Sequence, residues 1–287
     1  HVWRSHFEGY DPTEMARGVE LAEEHELRVL IPGDPDWPVG LNDLDRQAPY
    51  ALWIRGDAPE LLTRPLSERA TLIGRQGSSF RSLDNAYSLA TGLSHSEVVV
   101  VANSYPGIGR MALACTLGRP GGAIAVLPKG LDRRDTSGPN PFFNQVEENG
   151  VLVSETPPGR PTTRDTHLGQ LRLVAALSAM TTVIEAAPWN DVVEAPMIAM
   201  QLRRIVGAMP KEKESIGGSM LKLPAWEVSA PDDIVRGLEA FARKQAAIDE
   251  ISRPASTSLR AATTALPEQL QRGPGSSQHH TGPSRTA

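Results

Sequence analysis

Three loops of the sequence combine small residues, hydroxyl groups and cations in a way that could bind phosphate. The first is Gly74-Arg75-Gln76-Gly77-Ser78-Ser79, a polar turn with one cation that leads into a helical pattern. Backbone N–H groups at the start of a helix attract anions, so this turn could cradle a phosphate. An ordinary strand-to-helix turn with a serine cap explains the same residues equally well.

The second loop follows an apolar run and enters a helix as Gly107-Ile108-Gly109-Arg110-Met111-Ala112, which matches the G-x-G-x-x-A pattern of dinucleotide sites. Pro106 and further residues separate the glycines from the preceding strand, and the next strand ends at Leu127-Pro128 instead of at an acidic ribose ligand. NAD binding is therefore disfavoured, and we expect no cofactor. Tyr105 in this loop offers an aromatic face on which a base could stack.

The third loop, Pro128-Lys129-Gly130-Leu131-Asp132-Arg133-Arg134, places three cations at the end of a predicted strand. Solvated surface charge is the competing interpretation of such a run. Arg172 lies on an otherwise apolar helix, where a guanidinium needs an anionic ligand or a structural salt bridge, to Glu155 or to Glu185.

Sequence motifs of catalysis are missing. There is no HExxH, no G-x-S-x-G elbow and no P-loop, so we predict a binding protein and not an enzyme. The single cysteine, Cys115, excludes an internal disulfide and a CxxC metal site, and it falls on an apolar helix face.

Composition indicates a folded protein of 287 residues, 40% of them hydrophobic. The net charge of −5 argues mildly against nucleic-acid binding, but the acidic excess lies in the first 74 residues. A nearly neutral middle segment can still arrange a basic groove, because the field depends on where charges are placed. No apolar run is long enough to span a membrane and no signal peptide pattern opens the sequence, so we predict a cytoplasmic protein.

Short apolar runs alternate with amphipathic segments from residue 70 onward, which is typical of buried parallel strands joined by helices. The alternation predicts an α/β fold, an extended Rossmann-like, doubly wound and mainly parallel sheet. The predicted strands are Ala70–Ile73, Val98–Val101, Ala123–Leu127, Val151–Val153, Thr182–Ile184 and Ile205–Ala208. The predicted helices include an acidic one over Pro12–His25, ones containing Leu83–Ala90 and Ile108–Cys115, one begun by Pro141 and closed by Gly150, a buried one over Leu168–Met180, and one over Asp232–Glu250.

The same patterns divide the chain into four parts. Residues 1–66 are predicted to form a small N-terminal helical module and linker, and residues 67–226 the Rossmann-like core. A C-terminal helix follows over 227–252. Residues 253–287 are rich in Pro, Ser, Thr, Gly and Gln, which predicts a disordered tail.

Several spaced motifs, taken in order, resemble the DprA/Smf family of DNA-processing proteins. They are Pro32–Pro38 (PGDPDWP), Pro49–Gly56 (PYALWIRG), Ala123–Arg133, Val151–Gly159 and Leu171–Ser178, and the likeness runs from Leu27 to Leu223. The resemblance implies an extended Rossmann-like core that binds single-stranded DNA, forms a homodimer and helps to load the RecA recombinase during natural transformation.

The departures from the family fall on polar positions. The family's GSR turn reads Gly74-Arg75-Gln76, its RNR reads Gln170-Leu171-Arg172, its SGxL reads Asn190–Val193, and its SGxAxGIDxxAH reads Ala102–Gly109 with Leu113 at the end. Each lost arginine removes a phosphate partner, so DNA affinity is expected to be weaker than a typical relative's.

Three hypotheses follow for the function. In the first, Lys129, Arg133 and Arg75 surround Arg172 and form a groove for single-stranded DNA, with Tyr105 as a stacking face and the two glycine-bearing turns beneath it. In the second, the same pocket binds a nucleotide and the protein is a sensor or an enzyme. In the third, the chain is a degenerate paralogue that has lost its ligand.

Overall fold

Nine strands form one sheet in the computed structural model, which describes residues 12–132, 141–187, 191–210 and 224–252. The spatial order is β1-β2-β6-β5-β4-β3-β7-β8-β9. At one edge, β1 pairs antiparallel with β2, and β2 pairs antiparallel with β6. All pairings among β3 to β9 are parallel. In chain order the strands are β1 Arg28–Leu30, β2 Leu52–Arg55, β3 Arg69–Gly74, β4 Val99–Asn103, β5 Ala123–Val126, β6 Val151–Ser154, β7 Met180–Glu185, β8 Ile205–Ala208 and β9 Trp226–Glu227.

Seven α-helices connect or flank these strands within the described residues. They are α1 Pro12–Glu24, α2 Phe80–His95, α3 Ile108–Thr116, α4 Pro141–Asn149, α5 Arg164–Ala176, α6 Glu194–Gln201 and α7 Pro231–Ser252. Short 3-10 segments occupy Val39–Gln47, Pro59–Leu62, Leu66–Glu68 and Asp191–Val193. None of the helices in the described part of the chain is both long and apolar enough to cross a bilayer.

The order in which the chain adds strands to the sheet switches from one side of β3 to the other. From β3 it steps outward through β4, β5 and β6, and it then returns to the other side of β3 as β7. The predicted doubly wound, mainly parallel sheet is therefore confirmed. In such sheets the switch point opens a crevice at the carboxyl ends of the strands, here between β3 and β7.

Both faces of the central strand β3 are covered, as a parallel sheet requires. All six β3 residues are buried. Leu72 packs with residues of α2, α3 and α7, whereas Ile73 belongs to a separate cluster with α5, α6 and the segment Val39–Gln47. Since successive strand residues point to opposite faces, this division of Leu72 and Ile73 shows a core on each side of the sheet.

The prediction of one helix over Leu168–Met180 is wrong at both ends. Helix α5 begins four residues earlier, because Thr163 caps it and exchanges hydrogen bonds with Thr166. It ends at Ala176, and Met180 opens β7. The apolar run continues from the buried helix into the buried strand, so hydrophobicity alone does not mark the boundary between them.

Part of the predicted N-terminal module belongs to the same sheet and core as the predicted core domain. Residues 28–30 and 52–55 supply β1 and β2, and Leu41 and Leu44 pack in the cluster of Ile73. The predicted division of the chain otherwise stays a prediction, and the predicted tail over 253–287 lies outside the described residues. Within the described residues, internal packing separates the part that ends at Lys244 from the part that begins at Gln245.

We expect Leu72→Ala and Ile73→Ala each to lower the free energy of unfolding by about 2–5 kcal/mol, since each removes buried methyl groups on a covered face. Urea denaturation of the purified variants measures both. Val19→Ala on the exposed side of α1 serves as the control and should change stability by less than about 0.5 kcal/mol. A small effect at either position of β3 would contradict a core on both faces.

Candidate functional site

A crevice of about 300 Å³ opens at the switch point of the sheet, at the carboxyl ends of β3, β4 and β7. Residues from three loops and from α5 line it: Gly74, Gln76, Asn103, Tyr105, Pro106, Ile108, Gly109, His167, Leu171, Asp191 and Val192. The sequence had predicted Gly74, Gln76 and Tyr105 as site residues, and the structure brings these three together. Amide, imidazole, phenol and carboxylate groups therefore face one cavity.

The turn between β3 and α2 is closed by a carboxylate from β7. Glu185 pairs with Arg75, whose Nε lies 3.0 Å from Oε1. Oε2 of Glu185 accepts hydrogen bonds from the backbone N–H of Ser79 at 2.9 Å and from the Ser79 hydroxyl at 3.1 Å. Ser79 also caps α2, and the Ser78 hydroxyl donates to the backbone carbonyl of Arg75. Arg75 and Ser79, two of the residues predicted to hold a ligand phosphate, thus hold the internal carboxylate of Glu185.

The pKa of Glu185 reflects this environment. Burial alone would raise the pKa, but hydrogen bonds from Ser82 and Ser79 and the charge of Arg75 outweigh burial and lower it below the ordinary value of 4.5. Glu185 is consequently ionised at neutral pH, and its charge offsets that of Arg75. The helix N-terminus and the single cation of this turn are both neutralised from within the fold.

A positive φ at one position and a close contact at the other explain the glycines of the loop between β4 and α3. Gly107 has a φ of 120°, which side-chain-bearing residues rarely adopt, and it lies beside Ser78 of the neighbouring turn. A Cβ atom at Gly109 would collide with the side chain and carbonyl of Asn103. The glycines of the G-x-G-x-x-A pattern are therefore explained by the local geometry of this one loop.

The aromatic residues of this edge differ in how accessible their rings are. Tyr105 is partly buried and meets the ring of His167 edge to face, with centroids 5.5 Å apart. Burial raises the pKa of Tyr105, against a smaller lowering by a hydrogen bond with Thr162. Phe80, at the first turn of α2, is instead 92% exposed. Phe80 was not predicted as a site residue, because its spacing to Leu83 matches the apolar face of α2 and indicates a core position. It is exposed because the first turn of α2 lies beyond the part of the helix that covers the sheet.

Two cations lie together beyond the crevice, near the ends of β4 and β5. The Arg110 guanidinium stands 4.9 Å from the centre of the Phe142 ring and also donates from Nε and Nη2 to the carbonyl of Ser104. The Lys129 ammonium lies 6.0 Å from the centre of Phe143. Lys129 was predicted as a site residue. Arg110 was not predicted as a site residue, because it stands at an x position of the G-x-G-x-x-A pattern, where any residue is allowed.

Arg172 lies in a different cleft from the crevice. Its Nη2 donates to the carboxylate of Glu155, which is one of the two salt-bridge partners considered from the sequence. Both residues line a second cleft with Trp53 and the segment 46–51. Gln170, the other polar exception of α5, is buried and donates to the carbonyl of Val126.

The three predicted cations that the structure describes thus do not line one cavity. Arg75 is held by Glu185, Lys129 lies near Phe143, and Arg172 faces the second cleft. Arg133 lies outside the described residues. Within those residues, no three His, Cys, Asp or Glu side chains are placed to hold a metal ion.

Comparison with known proteins gives consistent matches in sequence and in fold. The family model of DNA recombination-mediator protein A matches residues 28–239. A Mycobacterium tuberculosis protein described as a DNA processing protein DprA is 30% identical over 234 residues, which cover 77% of this chain and 60% of the relative. The chain therefore spans less than two thirds of that relative's length.

Two solved structures share the fold. DNA processing protein A from Streptococcus pneumoniae superposes with a TM-score of 0.67 at 20% identity, covering 82% of this chain and 81% of that one. DNA processing protein A from Helicobacter pylori, for which a single-stranded DNA binding mode is described, gives a TM-score of 0.64 at 19% identity. That match covers 75% of this chain and 96% of the other.

We expect Glu185→Gln to lower the free energy of unfolding at pH 7 by about 1 kcal/mol, because it removes charge-assisted hydrogen bonds. The folded-state pKa of Glu185 is lowered, so its contribution is present above pH 4.5 and is lost as pH falls through the folded value. Urea unfolding between pH 7 and pH 3 should show the difference from wild type closing with acidification. Glu20→Gln on exposed α1 is the control, and a difference that stays constant with pH would contradict this role.

Proposed function

The chain belongs to the DNA recombination-mediator protein A family, and from that premise we propose that it binds single-stranded DNA and catalyses no reaction. The observation that carries the proposal is the family match over residues 28–239, which includes the whole nine-stranded sheet. The match confirms the resemblance to the DprA/Smf family found in the sequence. The binding of DNA by this chain is the proposal.

The carboxyl edge of the sheet supports the proposal by its charges and its rings. Arg75, Arg110 and Lys129 follow β3, β4 and β5, and a polynucleotide backbone lying along the edge would pass all three. Phe80 presents an almost fully exposed ring at the same edge, on which a base could stack without sequence preference. Such a surface combines phosphate contacts with stacking, as proteins that bind single strands do.

Internal carboxylates set the expected strength of binding. Arg75 and Arg172 are already paired with Glu185 and Glu155, and a phosphate would have to compete with these partners. Each phosphate contact contributes to the salt dependence of binding, so few contacts imply weak and moderately salt-sensitive binding. The internal carboxylates are therefore a second reason, besides the lost family arginines, to expect a DNA affinity weaker than a typical relative's.

The remaining parts of the proposal concern assembly and partners. We propose that the protein acts in the cytoplasm as a homodimer that passes the bound strand to the RecA recombinase during natural transformation. Light scattering should then report about twice the 31.0 kDa chain mass, and purified protein should speed RecA filament formation on single-stranded DNA. A monomer without effect on RecA would contradict this part alone.

A second candidate function is nucleotide binding, and the lining of the crevice favours it. The described residues that line the crevice offer amide, imidazole, phenol and carboxylate groups, with no lysine or arginine among them. Such a lining suits the base and sugar of a nucleotide better than a row of phosphates. A thermal-shift panel of nucleotides tests it, because a ligand at a hundredfold its Kd adds about 2.7 kcal/mol of stability. A flat panel would contradict this function.

We expect wild-type protein to bind a labelled oligo-dT strand in a fluorescence anisotropy titration, with affinity falling as salt rises. Lys129→Ala should weaken binding and reduce the slope of log K against log salt by about 0.7, since one phosphate contact is lost.

The matched control for this experiment is Arg119→Ala. Arg119 is exposed and precedes β5, so it lies at the amino edge of the sheet, opposite the proposed DNA path. This variant should keep the wild-type slope. Absence of binding by the wild type even at low salt would remove the proposed function.

A further inference from the structure

The crevice at the switch point contains a mostly buried amide whose hydrogen-bonding groups are unused. Asn103 is the last residue of β4, lines the crevice and is only 6% exposed. Its amide makes no hydrogen bond to another residue that the structure describes. Buried polar groups normally pair within the fold, so an unpaired amide at a crevice wall indicates a partner from outside the fold.

Glycine at position 109 makes room for this amide. The Cβ atom of any other residue there would collide with Oδ1 and with the backbone carbonyl of Asn103. Gly109 lines the crevice too, so the Asn103 amide occupies a place on the crevice wall. The family pattern SGxAxGIDxxAH has glycine where this chain has Asn103, and aspartate where it has Gly109. This chain therefore presents a neutral amide at a wall to which the pattern contributes an aspartate.

An amide together with apolar lining residues matches the chemistry of a nucleobase. A carboxamide offers an oxygen acceptor and two N–H donors, and a base edge carries donors and acceptors side by side. Ile108, Leu171 and Val192 add apolar surface for the flat faces of a base. Among the described residues that line the crevice there is no lysine or arginine, so a phosphate finds no positive charge there. Rotation of the amide by half a turn exchanges its donor and acceptor, which lets it pair with different bases.

A neighbouring cation lies where the phosphate of such a base would pass. Arg110 donates from Nε and Nη2 to the carbonyl of Ser104, the residue that follows Asn103. Arg110 is also one of the three cations along the proposed path of the strand. A phosphate held at Arg110 would thus lie close to the crevice, within reach of its own base. The crevice measures about 300 Å³, the lower limit for ligand pockets, which suits one base better than a longer segment.

We propose that the crevice holds one unstacked nucleobase of the bound single strand and that the Asn103 amide pairs with the edge of this base. This inference rests on the proposed function for the identity of the strand. It adds a contact to a base to the phosphate contacts proposed for Arg75, Arg110 and Lys129, and Asn103 was not among the site residues predicted from the sequence.

The first measurement compares oligo-dT binding by the full chain and by its Asn103→Ala variant. The variant should bind about two- to tenfold more weakly, the effect of losing one neutral hydrogen bond. Asn149→Ala is the matched control, because Asn149 is exposed at the end of α4, which precedes β6 and so reaches the amino edge of the sheet. Equal affinity of Asn103→Ala and wild type, with wild type binding well, would overturn the inference and leave the proposed function standing.

A modified strand separates base pairing from a structural effect of the substitution. In oligo-dT made with N3-methylthymine the N3–H donor is blocked, so wild type should bind this strand more weakly than oligo-dT. Asn103→Ala should bind both strands equally, because the amide that reads N3–H is gone. Its urea midpoint should be no lower than that of wild type, since the amide pairs with no other described residue. The absence of this difference between the two proteins, or a lowered midpoint, would contradict the pairing.

The last measurement does not depend on DNA binding. In heteronuclear NMR spectra of the wild type, Asn103→Ala identifies the side-chain amide signals of Asn103, and Asn149→Ala identifies those of Asn149. Titration with thymidine, which carries no phosphate, should shift the Asn103 signals and leave those of Asn149 unchanged. No shift of the Asn103 signals would overturn the inference, whatever the DNA titration shows. A shift without oligo-dT binding would support the contact in the crevice and contradict the proposed function.

Discussion

Two arginine–carboxylate pairs at the carboxyl ends of the strands control the charge of the surface where a ligand would bind. Glu185 holds Arg75 and the first turn of α2, and Glu155 holds Arg172. A parallel sheet covered on both faces leaves its strand ends as the place for polar chemistry, and helix N-termini there favour anions. In this protein the fold supplies some of those anions itself. The cations left to attract a polynucleotide are fewer than the sequence alone indicates.

For the proposed binding of a single strand, this arrangement shifts the expected contacts from phosphates to bases. When phosphate partners are scarce, contacts to bases carry a larger share of the binding energy, and stacking is the contact that tolerates any sequence. The exposed ring of Phe80 lies at the same edge as Arg110 and Lys129. The edge is better suited to stacking a base on an exposed ring than to tracking a dense row of phosphates.

The loops at this edge also show why a sequence motif can mislead. The G-x-G-x-x-A spacing at Gly107 is usually associated with a dinucleotide, yet Gly107 is explained by its φ of 120° and Gly109 by its contact with Asn103. A glycine pattern reports backbone geometry and close contact, and the contacting group can belong to the same loop. The chemistry of the neighbouring side chains has to decide between these possibilities.

By itself the sequence determined the class of fold, the six central strands and the family. These depend on local patterns, since a strand buried on both faces must be apolar throughout and a helix must repeat its apolar face every turn. Ion pairing was not determined in this way. Arg75 lies 110 positions before Glu185, and both candidate partners of Arg172 suited the sequence equally well, because pairing depends on which strands become neighbours. Only the tertiary structure decided that Arg172 lines a cleft separate from the crevice, and that β1 and β2 extend the sheet beyond the predicted core.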